Sequence, residues 1–167
     1  MKGLTLFDPW ATLVVLGEKQ FETRSWQTSH RGLLAVHVSK NRPREAKRFD
    51  DIEPFRSALG HNYHNLGYRH PGCIIGTVEV VGCYPTGSIV MAEGTDQQSG
   101  PDYLRYVGSR EEAFGDFTHG RYAWKLANPR RLAAPIPCTG HQGLWAVPPE
   151  IAEQVARQLE VNHAALR

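Results

Sequence analysis

Several well-marked chemistries are missing from these 167 residues. There is no GxSxG nucleophile elbow, no GxxxxGK[ST] phosphate loop, no HExxH and no CxxC pair, so the hydrolase, nucleotide and zinc chemistries that those spacings signal lose their support. Cysteine is scarce. Cys73, Cys83 and Cys138 are an odd number without dense spacing, which excludes the stapled framework of a small secreted domain and makes reduced thiols the default. Long apolar runs are also absent. The longest stretch, Ala11–Leu16, falls far short of the roughly 20 residues needed to cross a bilayer, and Asp8 and Pro9 interrupt any signal-peptide core. A cytoplasmic protein with no membrane segment is expected, and there are no internal repeats or low-complexity tracts. Charge of one sign is lacking as well, since 19 basic against 17 acidic residues leave +2.

What is present suffices for one core. The chain is 41% hydrophobic and 22% charged, with four Trp, six Tyr and six Phe, enough apolar material to offset the entropy of folding. Its length fits a single domain over 1–167, with a core in about 3–147 and a packing helix in about 149–166. Residues 1 to 84 hold 11 Lys/Arg and 8 Asp/Glu, hence +3, while 85 to 167 hold 8 and 9, hence −1. A polyanion should prefer the first half.

Leu4–Phe7 is short, apolar and β-prone. Asp8-Pro9 supplies an N-cap residue followed by proline at the first helical position, predicting a helix from Pro9 to about Leu16 that Gly17 ends. Phe21–Trp26 alternates like a strand, with Phe21, Thr23 and Ser25 on one face and Glu22, Arg24 and Trp26 on the other. After Arg31-Gly32, Leu33–Lys40 sets Leu34, Val36 and Val38 against Ala35, His37 and Ser39. Two successive strands joined by a short polar turn are most simply an antiparallel hairpin. Pro43 to about Leu59 reads as one helix with Ala46, Phe49, Ile52 and Phe55 at helical spacing, and 60–72 as a loop. Cys73–Tyr84 is β-branched enough for a buried strand, with possible bulges at Gly76 and Gly82. Gly87 to about Gly108 has little periodicity and reads as a surface excursion. Arg121–Leu126 and Leu144–Val147 are strand-like. Pro149 and Glu150 start a last helix in which Ile151, Val155 and Leu159 recur every four residues. Six strand-like runs without a regular βαβ repeat favour an α+β fold built on a small curved or closed mixed sheet.

The densest polar cluster is Gly17-Glu18-Lys19-Gln20-Phe21-Glu22-Thr23-Arg24-Ser25-Trp26. Glu22, Arg24 and Trp26 give one face an acid, a base and an aromatic plate, and His37 and Ser39 join it if the next strand pairs alongside. Such a face could bind a planar, hydrogen-bonding ligand. It could equally be a half-exposed strand whose Glu22 to Arg24 ion pair is worth about 0 to 1 kcal/mol. Lys40, Arg42, Arg44, Lys47 and Arg48 put five basic residues in nine, able to neutralise a phosphate backbone or simply to solvate a helix start. His61, His64, His70 and Cys73 are four potential zinc ligands in a stretch that otherwise reads as loop, and no metal or cofactor is expected there. Tyr63 and Tyr68 could stack bases or cover the core. Trp124 and Trp145 are expected in the core, Cys83 and Cys138 as small hydrophobes, and Trp10 near a helix N-terminus that favours anions.

The run Pro9-Trp10-Ala11, then Gly17-x-Lys19-x-x-Glu22-x-Arg24, then Arg31-Gly32 ahead of the strand with His37 and Ser39-Lys40, resembles the ASCH family of the PUA-like superfamily. Phe114-Gly115-Asp116-Phe117, Gly120-Arg121-Tyr122-Ala123-Trp124 and Gln142-Gly143-Leu144-Trp145 extend the likeness, in order, to residue 147. The resemblance implies a small PUA-like β-barrel of about six mixed strands with flanking helices, and a cleft floored by Lys19, Glu22 and Arg24. It implies a module for RNA, single-stranded nucleic acid or a modified nucleotide, contacted by Trp10, Lys19, Glu22, Arg24, Trp26, Arg31, His37, Ser39, Lys40, Arg42 and Arg44. Some members are enzymes, among them a ribonuclease and an N(4)-acetylcytidine amidohydrolase branch with threonine in place of Glu22. A hydrolase using Lys19 or Glu22 as acid or base is therefore the alternative, and a protein-interaction domain a second.

Overall fold

The computed structural model describes residues 1–60, 63, 69–92 and 105–164. Among them, the main sheet has six strands: β1 (Lys2–Leu6), β2 (Phe21–Arg24), β3 (Gly32–Val38), β4 (Cys73–Pro85), β7 (Tyr122–Pro137) and β8 (Leu144–Ala146). Their order is β2-β7-β4-β3-β1-β8. β1 and β3 run parallel and every other neighbouring pair antiparallel. β5 (Ile89–Ala92) and β6 (Arg105–Gly108) form a separate parallel pair. The helices are α1 (Trp10–Leu16), α2 (Arg44–Lys47), α3 (Phe55–Leu59), α4 (Ser109–Ala113) and α5 (Pro149–Ala164). This is the expected α+β class on a mixed six-stranded sheet, and none of its described helices is long and apolar enough to cross a membrane.

The sheet curls where β4 gives up regular pairing with β7. The register shifts between Ile74 and Gly76, Thr77 and Glu79, and Val80 and Gly82, so both glycines expected to mark bulges do so, and each irregularity adds local bend and twist. A Cβ on Gly76 would lie 2.6 Å from the Arg130 carbonyl oxygen, so only glycine permits that approach. The main core fills the inside of the curl. Val14 and Val15 of α1 pack there against Leu34, Val36, Val78 and Trp124.

Four expectations are corrected. β2 and β3 are not a hairpin: β2 pairs with β7, and β3 lies between β1 and β4, because β3's apolar residues gain more burial at the centre of the sheet than against a short edge strand. The helix expected over 43–59 is broken into α2, a 3-10 turn at Arg48–Asp50 and α3, since Pro54 biases Glu53 away from helical geometry and cannot donate within a helix. Ile52, an expected apolar contact, is instead 46% exposed. The stretch from Gly87 to about Gly108, expected as a surface excursion with little periodicity, contains the strands β5 and β6, and residues 93–104 between them lie outside the described residues. β7 continues eleven residues past Leu126, its run masked in the sequence by Asn128, Pro129, Pro135 and Pro137. The C-terminal helix matches its pattern, with Val155 fully buried and Ile151 and Leu159 packed beside Trp145 and Ile136.

Candidate nucleic-acid interface

The turn after α1 delivers Lys19. Gly17, at φ +79°, takes the left-handed position that ends the helix, favoured in glycine because it lacks Cβ. The Leu13 carbonyl then accepts both the Glu18 and Lys19 amides. Pro9 takes the cap position of α1, one residue later than expected, and Asp8 still serves the first turn with its side chain. The helix begins at Trp10, and the Asp8 carboxylate accepts from the Thr12 amide at 3.2 Å and the Thr12 hydroxyl at 2.8 Å.

Lys19 is 2% exposed. Its ammonium donates to the carbonyls of Phe21 and, at 2.9 Å, Phe114, and lies 3.9 Å from Glu22 Oε2. Glu22 Oε1 pairs with Arg24 Nε at 2.9 Å, and the Arg24 side chain remains 27% exposed. The predicted triplet therefore converges as a ladder of alternating charge, with Lys19 beneath, Glu22 between and Arg24 on top. Its chemistry is unequal. Lys19 spends donors on two backbone carbonyls, whereas Arg24, which reaches the Thr5 carbonyl at 3.5 Å, stays part-exposed and lines open space together with Glu22.

That space is a cavity of about 880 Å³, large enough for a heterocycle with its sugar. Trp10, Lys19, Glu22, Arg24, Trp26 and Ser39 of the predicted contacts line it. Trp10 is held edge-on by Phe49 at 5.1 Å and Phe55 at 6.0 Å, and Trp26 by Trp124 at 4.6 Å. The other predicted contacts do not line it. Arg31 donates to the Thr28 and His30 carbonyls. His37 is 2% exposed behind Gly140, its Nε2 3.0 Å from the Cys138 carbonyl, and burial holds it below its ordinary range. Lys40 lies across Gly72. Arg42 is structural: its Nε donates to the Asp8 carbonyl at 2.8 Å, and its guanidinium, with that of Arg69, brackets Asp50, which is 3% exposed. Arg44 is exposed on α2. His61, His64 and Tyr68 lie outside the described residues, while Tyr63 is buried with Phe55 and Phe114.

Reading single elements missed the opposite wall. Phe114, Gly115 and Asp116, and on the far side Gly140 to Gly143, line the cavity. Their signal lay in the segments Phe114-Gly115-Asp116-Phe117 and Gln142-Gly143-Leu144-Trp145, which carried likeness without chemistry. Asp116 is fixed by the Thr118 hydroxyl at 2.7 Å and by Arg121 at 3.2 Å, and the Thr118 hydrogen bonds hold its carboxyl below the ordinary range. Glu111, just outside, accepts the Gln20 amide at 2.7 Å and the Phe21 amide at 2.9 Å, and burial pushes its carboxyl up.

The family model of the ASCH domain matches residues 4–135. Activating signal cointegrator 1 of Mus musculus is 24% identical over 163 residues, and that of Homo sapiens 23%. Each alignment covers 98% of this chain and 25% of the relative, so the chain spans about a quarter of the length of the curated relatives it matches. Among solved structures, ASCH from Zymomonas mobilis is similar with a TM-score of 0.49 and 11% identity, over 93% of both chains. A point mutant of that protein is similar at 0.49 and 12%, over 93% of this chain and 96% of its own.

Proposed function

The chain belongs to the ASCH domain family, and from that premise we propose that it is a nucleic-acid-binding module that takes one base of a single-stranded RNA into the Glu22–Arg24 cavity. The observation that carries this reading is the charge balance of the cavity. Lys19 and Arg24 are matched by Glu22 and Asp116 among the lining residues, and Lys19 is already spent on carbonyls. A phosphate pocket needs surplus cations or a cradle of free N–H groups. An uncharged base instead suits paired donors and acceptors between aromatic walls, here Arg24 and Glu22 between Trp10 and Trp26. Phosphates are left to the exposed edge of Arg44, Lys47 and Arg48, where Arg48 packs 5.0 Å from the centre of Phe49, itself a lining residue. The same commitment of Lys19 favours binding over acid–base catalysis, because a general acid or base must reach the reacting proton. A cytoplasmic location accords with the free thiols of Cys73, Cys83 and Cys138 and belongs to the same reading.

The test is a salt series with a short single-stranded RNA. Affinity should fall steeply as salt rises, and reversing Arg44, Lys47 and Arg48 together should flatten the slope. An unphosphorylated nucleoside should compete weakly and without salt dependence. Absence of binding at low salt to any RNA would overturn the reading, and binding of short oligonucleotides counts against the alternative of a groove for a partner protein.

A further inference from the structure

Glu111 does not line the cavity, yet it is 8% exposed and accepts the amides of Gln20 and Phe21, the two residues that link Lys19 to Glu22. The opposite segment answers in kind. Phe114 accepts from Lys19, and the Asp116 amide donates to the Thr23 hydroxyl at 2.9 Å. Four hydrogen bonds thus zip residues 111–116 to residues 19–23, and outside them Arg110 pairs with Glu18 at 2.8 Å. A carboxylate is the side chain that offers two acceptor oxygens to two successive amides. A glutamine would turn its own NH2 toward one of them.

We propose that Glu111 is a positioning residue for the ligand site: by holding the Gln20 and Phe21 amides it sets how Glu22 and Arg24 enter the cavity and how far the Phe114–Asp116 wall stands from them. This rests on reading the cavity as the ligand site. A buried carboxylate is a costly way to fill a helix face, and an uncharged residue of the same shape often serves stability as well or better. Lys19 favours the ionised form while burial and Glu22 oppose it. The pair of amides held in register is the gain that this cost returns.

The test compares Glu111→Gln with the parent in three readouts: melting temperature, affinity for a short single-stranded RNA, and the NMR signal of the Arg24 Nε–H. Positioning predicts an affinity about tenfold weaker and a displaced Arg24 signal in the folded variant, whatever the change in melting temperature. A residue that only supports the fold would lower the melting temperature and leave folded protein with unchanged affinity and an unmoved Arg24 signal, which would overturn the proposal. Should Glu111→Gln fail to fold, Glu111→Asp keeps the charge but cannot span both amides, and the same outcomes apply to it. If the parent binds no RNA, the proposed function falls, and the Arg24 signal alone decides for or against positioning.

Discussion

Lys19 donates to the carbonyl of Phe114, ninety-five residues further along the chain, at 2.9 Å, and so joins the turn after α1 to the far wall of the cavity. This places the lysine of the GxKxxExR pattern at the base of the site, held by two carbonyls. Lys19→Met should act first on the fold, because it leaves two carbonyls unsatisfied and removes the buried cation beside Glu22 and Glu111. A loss of about 3 to 5 kcal/mol is expected, the range for breaking a buried pair from one side. Urea unfolding checks this, and a variant as stable as the parent would show that Lys19 is not structural.

The basic run divides into one anchor and several free charges. Arg42→Ala strands Asp50, 3% exposed, with Arg69 alone, and should cost about 2 to 4 kcal/mol. Arg44→Glu, on an exposed face, should stay within about 0.5 kcal/mol while weakening RNA binding at low salt. Melting curves of the two variants side by side separate these roles.

Legibility followed how local each cause was. The end of α1 at Gly17, the bulges at Gly76 and Gly82 and the face of α5 are decided by residues within a few positions of one another, and each was readable. The neighbours of β2 were not, because pairing with β7 rather than β3 is a competition for burial across a hundred residues. Half of the cavity was equally hidden. Lys19, Glu22 and Arg24 stood out as a polar cluster, but Glu111 joins them only through the fold, which buries it while Glu112 stays exposed. Arg42 shows the converse: a basic run looks uniform in sequence, and only its contacts with Asp8 and Asp50 single out the half-buried anchor.

Acid should shift stability in a defined direction. Burial raises the carboxyls of Asp8 and Glu111 above their ordinary range despite their hydrogen bonds. The folded state therefore holds those protons more tightly than the unfolded chain. The resulting stabilisation is complete below the unfolded values, about 4, and is lost as pH climbs through the raised folded ones. Glu111→Gln lacks this dependence and should gain stability relative to the parent as pH is raised from about 4, the unfolded value, to about 7. Urea midpoints at both ends measure it, and a parent that gains on the variant would contradict the assignment.

Gly140 separates the cavity from His37. A Cβ there would lie 2.3 Å from the imidazole and 2.6 Å from the Thr5 hydroxyl. Gly140→Ala should therefore cost about 1 to 3 kcal/mol, the usual range for overpacking, and displace the His37 ring signals. Unchanged stability would mean that this wall yields freely.

The most direct test of the ligand site is a titration of isotopically labelled protein with short single-stranded RNA, followed at the Arg24 Nε–H, the indole N–H groups of Trp10 and Trp26, and the amides of Gly115 and Gly140. The account predicts that these signals move together and saturate with the binding curve, with smaller shifts along Arg44–Arg48. Shifts confined to the basic edge, with Arg24 and both indoles unmoved at saturation, would contradict it.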